Sequence, residues 1–212
     1  MYYRLDDNIA LRKWADTGYA CYEKGTGYET FLWPEEAEIM LLCDSEHDIE
    51  ANDTVMQLIL QKLIMPCEKG EKNSEWSSLR EYENRYFSIM MLMITGKCNY
   101  NCLHCYNAAD NSVLRTELSL DDICSLLDQA EDCGIRDFWL TGGEPMIHKN
   151  FLDIIREIYK RGMNVVKILT NGYFITQKIL DEMKAVGCDA ELSMSFDGIG
   201  IHDLLRNSKG AE

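Results

Sequence analysis

From residue 87 onward, short apolar runs alternate with amphipathic stretches of helical period, and few folds accommodate that pattern. "FSIMMLMI" (87–94) is a continuous apolar run, as in a strand buried on both faces. "SLDDICSLLDQAEDCGI" (119–135) reads as a helix: Ser119 and Asp122 form a capping box, and Leu120, Ile123, Leu127 and Ala130 share a face. "RDFWLT" (136–141) is a strand. "NFLDIIREIYKRG" (150–162) is a helix with Ile154, Ile155 and Ile158 on its apolar face and Gly162 as its stop. "NVVKILT" (164–170) is a strand, "TQKILDEMKAVG" (176–187) a helix closed by Gly187, and "AELSMSF" (190–196) a strand. Strands joined by helices of this length make parallel βαβ units.

Each strand runs into an unusual polar segment. The first is followed by "TGKCNYNCLHCYNAAD" (95–110), the second by "TGGEP" (141–145), the third by "TNG" (170–172) and the fourth by "SFDG" (195–198). In a parallel sheet or barrel all strand C-termini lie at one face, where such folds build their sites. Glycine marks βα turns in general, but Glu144 beside two glycines and Asp197 beside one ask for more than turn chemistry.

The first segment spaces Cys98, Cys102 and Cys105 as C-x3-C-x2-C. The N-terminus lacks a signal-peptide pattern, and no apolar run reaches the roughly 18–20 residues of a membrane span. A cytoplasmic location follows as the expectation. Thiols there stay reduced, and a total of nine cysteines cannot all pair, so disulfides are disfavoured. Tetrahedral zinc wants a fourth ligand, which His104 could supply, but no second knuckle is present. Three thiolates in one loop suit a [4Fe–4S] cluster with one iron left open. The formal net charge of −15 argues against non-specific binding to nucleic acid or an anionic membrane, and permits a basic peptide partner. Cys21, Cys43, Cys67, Cys124, Cys133 and Cys188 read as packing thiols, and the methionines as core filler.

Residues 1–67 follow another plan. "IALRKW" (9–14), "YACYEK" (19–24) and "YETFLW" (28–33) read as strands, with "ADTG" and "GTG" as turns between them. Pro34 with Glu35 and Glu36 opens a helix, and "DTVMQLILQKLIM" (53–65) is a second helix, ended by Pro66. Residues 68–84 are polar, lack a clean period and read as a linker to a second domain spanning 85–212.

"CNYNCLHCY" resembles the cluster motif of the radical S-adenosylmethionine (SAM) enzymes. "TGGEP", "LTNG" and "SFDGIGIHDLLR" resemble that superfamily's companion segments in order and spacing. The resemblance covers residues 87–212 and implies a (βα) barrel in which Cys98, Cys102 and Cys105 hold a [4Fe–4S] cluster. SAM would chelate the open iron through its amino and carboxylate groups. An electron from a donor such as flavodoxin or ferredoxin would then release a 5′-deoxyadenosyl radical. Within this likeness Gly142 and Gly143 let backbone approach the methionine moiety. Glu144 accepts from the SAM ammonium, and Tyr106 borders the adenine pocket. Ser195 and Asp197 make polar contacts, and Asn171 is either a SAM contact or a loop brace. His148 and His202 read as structural hydrogen bonders. The first domain resembles the PqqD-like peptide-recognition domain of ribosomal-peptide maturases, a small α+β domain similar to winged helices, which takes a leader peptide onto a sheet edge.

Residues 87–212 show four strands, whereas a complete barrel takes about 200–250 residues. The expected fold class is therefore an α/β partial (βα) barrel with parallel strands behind a winged-helix-like domain. The strand at 190–196 would be an exposed edge, and a C-terminal half would be missing. The expected function is that of a peptide-modifying, SPASM-type maturase or a truncated form of one, forming crosslinks such as a thioether or a carbon–carbon bond. A peptide-binding protein with a vestigial barrel and a maturase of a folded protein such as a sulfatase are the other readings.

Overall fold

Residues 1–24, 26–110 and 116–212 are described by the computed structural model, so Gly25 of the expected "GTG" turn lies outside the described residues. The chain divides into two units, Met1–Phe87 and Ser88–Glu212.

The first unit contains β1 (Tyr2–Leu5), β2 (Ile9–Trp14), β3 (Gly18–Glu23), β4 (Glu29–Phe31), α1 (Pro34–Leu42), α2 (Asp53–Leu60), β5 (Ile64–Cys67) and β6 (Arg80–Tyr82). Strands β2, β3 and β4 form the expected antiparallel meander. Helix α1 opens at Pro34, and the Glu36 carboxylate accepts from the Trp33 N–H at 2.8 Å. Helix α2 is capped by Asn52, whose Oδ1 accepts from the Val55 N–H at 2.8 Å. Tyr3, Leu5, Leu11, Met40, Val55 and Leu58 are among its buried core.

Two expectations fail here. The helix read to residue 65 ends at Leu60. Lys62 takes φ +59°, and the Leu63 N–H returns to Leu58 O at 3.0 Å, which is a Schellman stop made without glycine. The chain then enters β5, which pairs antiparallel with β1, with Pro66 opposite Tyr3. Residues 68–84 are not a bare linker either. Strand β6 pairs parallel with β2, giving the sheet order β4-β3-β2-β6, and Asn73 Oδ1 accepts from the Leu5 N–H at 2.8 Å.

The second unit runs β7 (Ile89–Thr95), α3 (Leu120–Asp132), β8 (Asp137–Gly142), α4 (Phe151–Lys160), β9 (Asn164–Thr170), α5 (Gln177–Ala185), β10 (Glu191–Met194) and α6 (His202–Arg206). Strands β7 to β10 are parallel, and each lies beside its predecessor, in the order β10-β9-β8-β7. That stepwise order belongs to a (βα) barrel, not to a doubly wound sheet, and the unit is a partial α/β barrel. Leu92, Ile94, Phe138, Leu140 and Ile168 on the strands pack with Ile123, Leu127, Ile154 and Ile158 on the helices. The caps are those read from sequence: Ser119 and Asp122 bond reciprocally, and Gly162 and Gly187 take φ +69° and +83° past their helices.

Strand β7 is not buried on both faces as expected. Ile89, Met91 and Met93 are exposed, while Leu92 and Ile94 are buried. Helices cover one face of this sheet, and the opposite face corresponds to a barrel's interior side. Strand β10 is an edge, as expected, with Met194 and Phe196 exposed. Among the described residues no helix is long and apolar enough to cross a membrane.

Candidate functional site

The four strands β7–β10 deliver their polar segments to the same edge of the sheet. At the base of this edge the contact is between backbones. The Gly143 N–H donates to Thr95 O and the Glu144 N–H to Lys97 O, each at 2.8 Å. The turn after β8 therefore lies against the base of the cysteine loop, with no room for a side chain between them. A Cβ on Gly142 would stand 2.5 Å from Thr95 O, and one on Gly143 would stand 2.3 Å from Lys97 O. In the structure the two glycines answer to this approach of the chain to itself. They also line the cavity beyond it.

Above that seam the cysteine loop closes on its own backbone. Cys98 N–H donates to Asp110 O at 2.9 Å, and Cys105 N–H to Cys102 O at 3.2 Å. Tyr100 N–H reaches Cys98 Sγ at 3.4 Å, and Ala109 N–H reaches Cys105 Sγ at 3.2 Å. Burial pushes the Cys98 thiol up, and the Tyr100 N–H opposes that shift. All nine cysteines are free thiols. His104 turns its Nε2 toward Asp197 Oδ1 at 3.7 Å, so the fourth ligand a zinc site would want faces a carboxylate. Among the described residues no three His, Cys, Asp or Glu side chains close on one point as the ligands of a single ion would. A cubane cluster makes a different demand, because each thiolate binds its own iron. The three cysteines border a cavity of about 290 Å³, also lined by Gly142, Gly143, Asn171 and Ser195. Three free thiols around an open cavity, two of them with backbone donors on their sulfurs, fit a [4Fe–4S] cluster.

Glu144, expected at the SAM ammonium, has protein partners in the structure. It is fully buried, and it is not among the residues lining the cavity. Its Oε1 accepts from Met146 N–H at 3.0 Å and Thr170 Oγ1 at 2.8 Å, and its Oε2 accepts from Asn171 N–H at 2.7 Å. The carboxylate thus braces the turn after β8 to the turn after β9. Its pKa is raised by burial, against the pull of those three bonds.

Asn171 is a brace that also lines the cavity. Its Nδ2 donates to Asn99 Oδ1 at 2.8 Å and stands 3.8 Å from Cys98 Sγ. Tyr106 lines the cavity and is fully exposed. Asp197 lies behind the lining, next to Arg206 and His202. Ser195 lines the cavity and accepts at its carbonyl from Arg206 Nη2 at 3.2 Å. His148 donates from Nε2 to Leu118 O at 2.8 Å and accepts at Nδ1 from Asn150 N–H at 3.0 Å, a structural role. His202 Nδ1 accepts from Asp197 N–H at 3.1 Å. Outside the site, burial raises Cys21 and Cys43 to about 12, as for packing thiols.

Two residues of the site were missed from sequence, Thr170 and Arg206. Arg206 lies inside the quoted segment "IHDLLR", one helical turn beyond His202, and that spacing was the available signal.

Comparison with known proteins bears on the same residues. The sequence model of the Radical SAM superfamily matches residues 92–207. The AdoMet-dependent heme synthase of Methanosarcina barkeri is 35% identical over 120 residues, which is 56% of this chain and 34% of that protein. The probable GTP 3′,8-cyclase of Methanothermobacter thermautotrophicus is 35% identical over 119 residues, 56% of this chain and 38% of its own. The chain thus spans well under half the length of these curated relatives. The crystal structure of Streptococcus suis SuiB has the similar fold, with a TM-score of 0.58 and 13% identity, over 97% of this chain and 50% of that one.

Two expectations follow from the geometry. Gly143→Ala forces a Cβ onto Lys97 O, and overpacking of this kind costs about 1–3 kcal/mol. Urea unfolding should show the loss, and anaerobic reconstitution should show reduced iron uptake; a variant equal to wild type in both would refute the seam. Glu144 binds more protons folded than unfolded over the window from its ordinary 4.5 to its raised folded value. Its contribution is therefore complete below that window and is lost as pH rises through it. Glu144→Gln should flatten this slope in urea midpoints taken from about pH 4 to about pH 8. Parallel wild-type and variant curves would contradict the assignment.

Proposed function

The chain belongs to the Radical SAM superfamily, and from that premise we propose that it is, or forms part of, an enzyme that modifies a ribosomally made peptide held through its leader by the first domain. Superfamily members bind a [4Fe–4S] cluster and SAM. When bound, these supply an electron and a cleavable sulfonium, and hence a 5′-deoxyadenosyl radical that takes a hydrogen atom from substrate. Cys98, Cys102 and Cys105 would hold the cluster, and the convergence of the four strand-end segments on one cavity is the observation that carries this reading. Gly142, Gly143, Tyr106, Asn171 and Ser195 are the proposed SAM contacts, because each lines that cavity. Glu144 and Asp197 act from behind it by fixing the loops. A small electron donor such as flavodoxin or ferredoxin, and further chain completing the barrel, are part of the proposal.

The peptide reading rests on the first unit, in its winged-helix-like interpretation. Strand β3 is flanked by β2 and β4, whereas β4 lies at an edge of the sheet and is the proposed docking strand. Glu23 N–H bonds to Tyr28 O and Leu32 N–H to Tyr19 O. Strand alternation then turns the backbone groups of Phe31 outward. Tyr28, Phe31 and Trp33 are exposed around this edge. A cavity of about 350 Å³ adjoins it, lined by Ile9, Cys21, Tyr28 and Leu63 together with the polar Glu23 and Lys62, and could take a side chain of an added strand. The names of the curated relatives, a heme synthase and a GTP cyclase, favour a second reading in which the substrate is not a peptide.

For the chemistry, the chain is purified and reconstituted without oxygen, and iron per chain and 5′-deoxyadenosine formed with SAM and dithionite are measured. Cys98→Ala should hold less iron and form none of the nucleoside; unaltered iron content would remove the cluster assignment. For the substrate, a peptide from a small neighbouring reading frame with a Cys-rich core is titrated calorimetrically. Phe31→Pro, which deletes one outward N–H, should weaken binding about tenfold, the loss of roughly 1.4 kcal/mol. No binding by wild type would favour the second reading.

A further inference from the structure

The donors that meet the three cysteine sulfurs differ in charge. Cys98 and Cys105 receive neutral backbone N–H groups, from Tyr100 and Ala109. Cys102 Sγ is met by Arg206 Nη1 at 3.9 Å. The guanidinium, a cationic group, belongs to a residue only 9% exposed. The cationic end of an ion pair therefore stands at one corner of the cysteine set.

Its position is fixed from two sides. Arg206 Nη2 donates to Ser195 O at 3.2 Å. Arg206 Nε lies 2.8 Å from Asp197 Oδ2, but off the line a hydrogen bond requires, so the contact is an ion pair. Asp197 is itself held by His202, which accepts its N–H at 3.1 Å, and it faces His104 at 3.7 Å. The network spends a carboxylate on orienting the arginine and leaves the cationic face toward the sulfur.

Charge acts more strongly here than in water, because the surroundings screen it less. A cluster becomes more negative by one charge when it takes up an electron. A cation beside a ligand sulfur therefore favours the reduced form, and net charge, donors to sulfur and exposure are the factors that set cluster potentials.

We propose that Arg206 raises the reduction potential of the cluster from the Cys102 corner, with Asp197 as the residue that positions it. The inference rests on the cluster alone and is independent of what the substrate is. A guanidinium that lines this cavity could instead serve only a SAM carboxylate, or only packing, so the test reads potential in the absence of SAM.

Reconstituted full-length wild type, Arg206→Gln, Arg206→Lys and the double variant Arg206→Gln/Asp197→Asn are titrated with a reductant and followed by electron paramagnetic resonance, with iron content checked for each. The double variant removes the ion pair without leaving a buried carboxylate alone. At a fixed applied potential, the ratio of reduced to oxidised cluster should fall about tenfold or more in both neutral variants. That is a shift of about 59 mV or more for a one-electron couple. Arg206→Lys should stay close to wild type. Neutral variants that match wild type within about threefold would overturn the proposal, whatever happens to SAM affinity. Loss of iron from both neutral variants would overturn it as well, by making Arg206 a prop of the loop. A wild type that forms no paramagnetic cluster would instead refute the cluster itself.

Discussion

The buried carboxylate of Glu144 ties together the edge of the second unit where the chemistry is placed. Its side chain takes bonds from the turns after β8 and β9, and its own N–H reaches Lys97 O at the base of the cysteine loop. Three of the four strand-end segments are thus joined at one residue. Burying a carboxylate is costly, and three well-placed donors offset part of that cost, the rest appearing as the raised pKa. The two preceding glycines make this possible, since any side chain at Gly142 or Gly143 would hold the turn away from the loop.

The fourth segment is attached through charge. Arg206 reaches from α6 to Ser195 O, to Asp197 and toward Cys102, so the loop after β10 is drawn to the cysteine loop from the opposite side. Leu103 N–H also donates to Leu205 O at 2.9 Å. The cavity is left between these two attachments. Its walls are mostly backbone, thiols and small polar side chains, which is the lining a polar, charged cofactor requires.

Much of this was legible because it is local. Gly162 and Gly187 mark helix ends, Ser119 and Asp122 mark a start, and strand C-termini in a parallel sheet must share an edge. The same logic explains the failures. The stop at Lys62 uses a left-handed residue that is not glycine, so the helical period ran on into β5. Strands β1, β5 and β6 are short, and each is defined by a partner distant in sequence. The exposed face of β7 could not be seen in "IMMLMI", because a run of apolar residues carries no sign of which face the helices cover. Glu144 stands at the corner read for it, and the structure adds its buried protein partners. Its type and position were visible in the sequence, but the donors that occupy it, Thr170 and the Asn171 N–H, come from another strand.

Three thiols at this edge are proposed to hold a four-iron cluster with one iron open to SAM. Mössbauer spectroscopy of the ⁵⁷Fe-reconstituted chain, with and without SAM, tests it most directly. The expected result is a [4Fe–4S] spectrum in which one iron of the four changes its parameters when SAM is added. A spectrum of isolated mononuclear iron, or four irons that all ignore SAM, would contradict it.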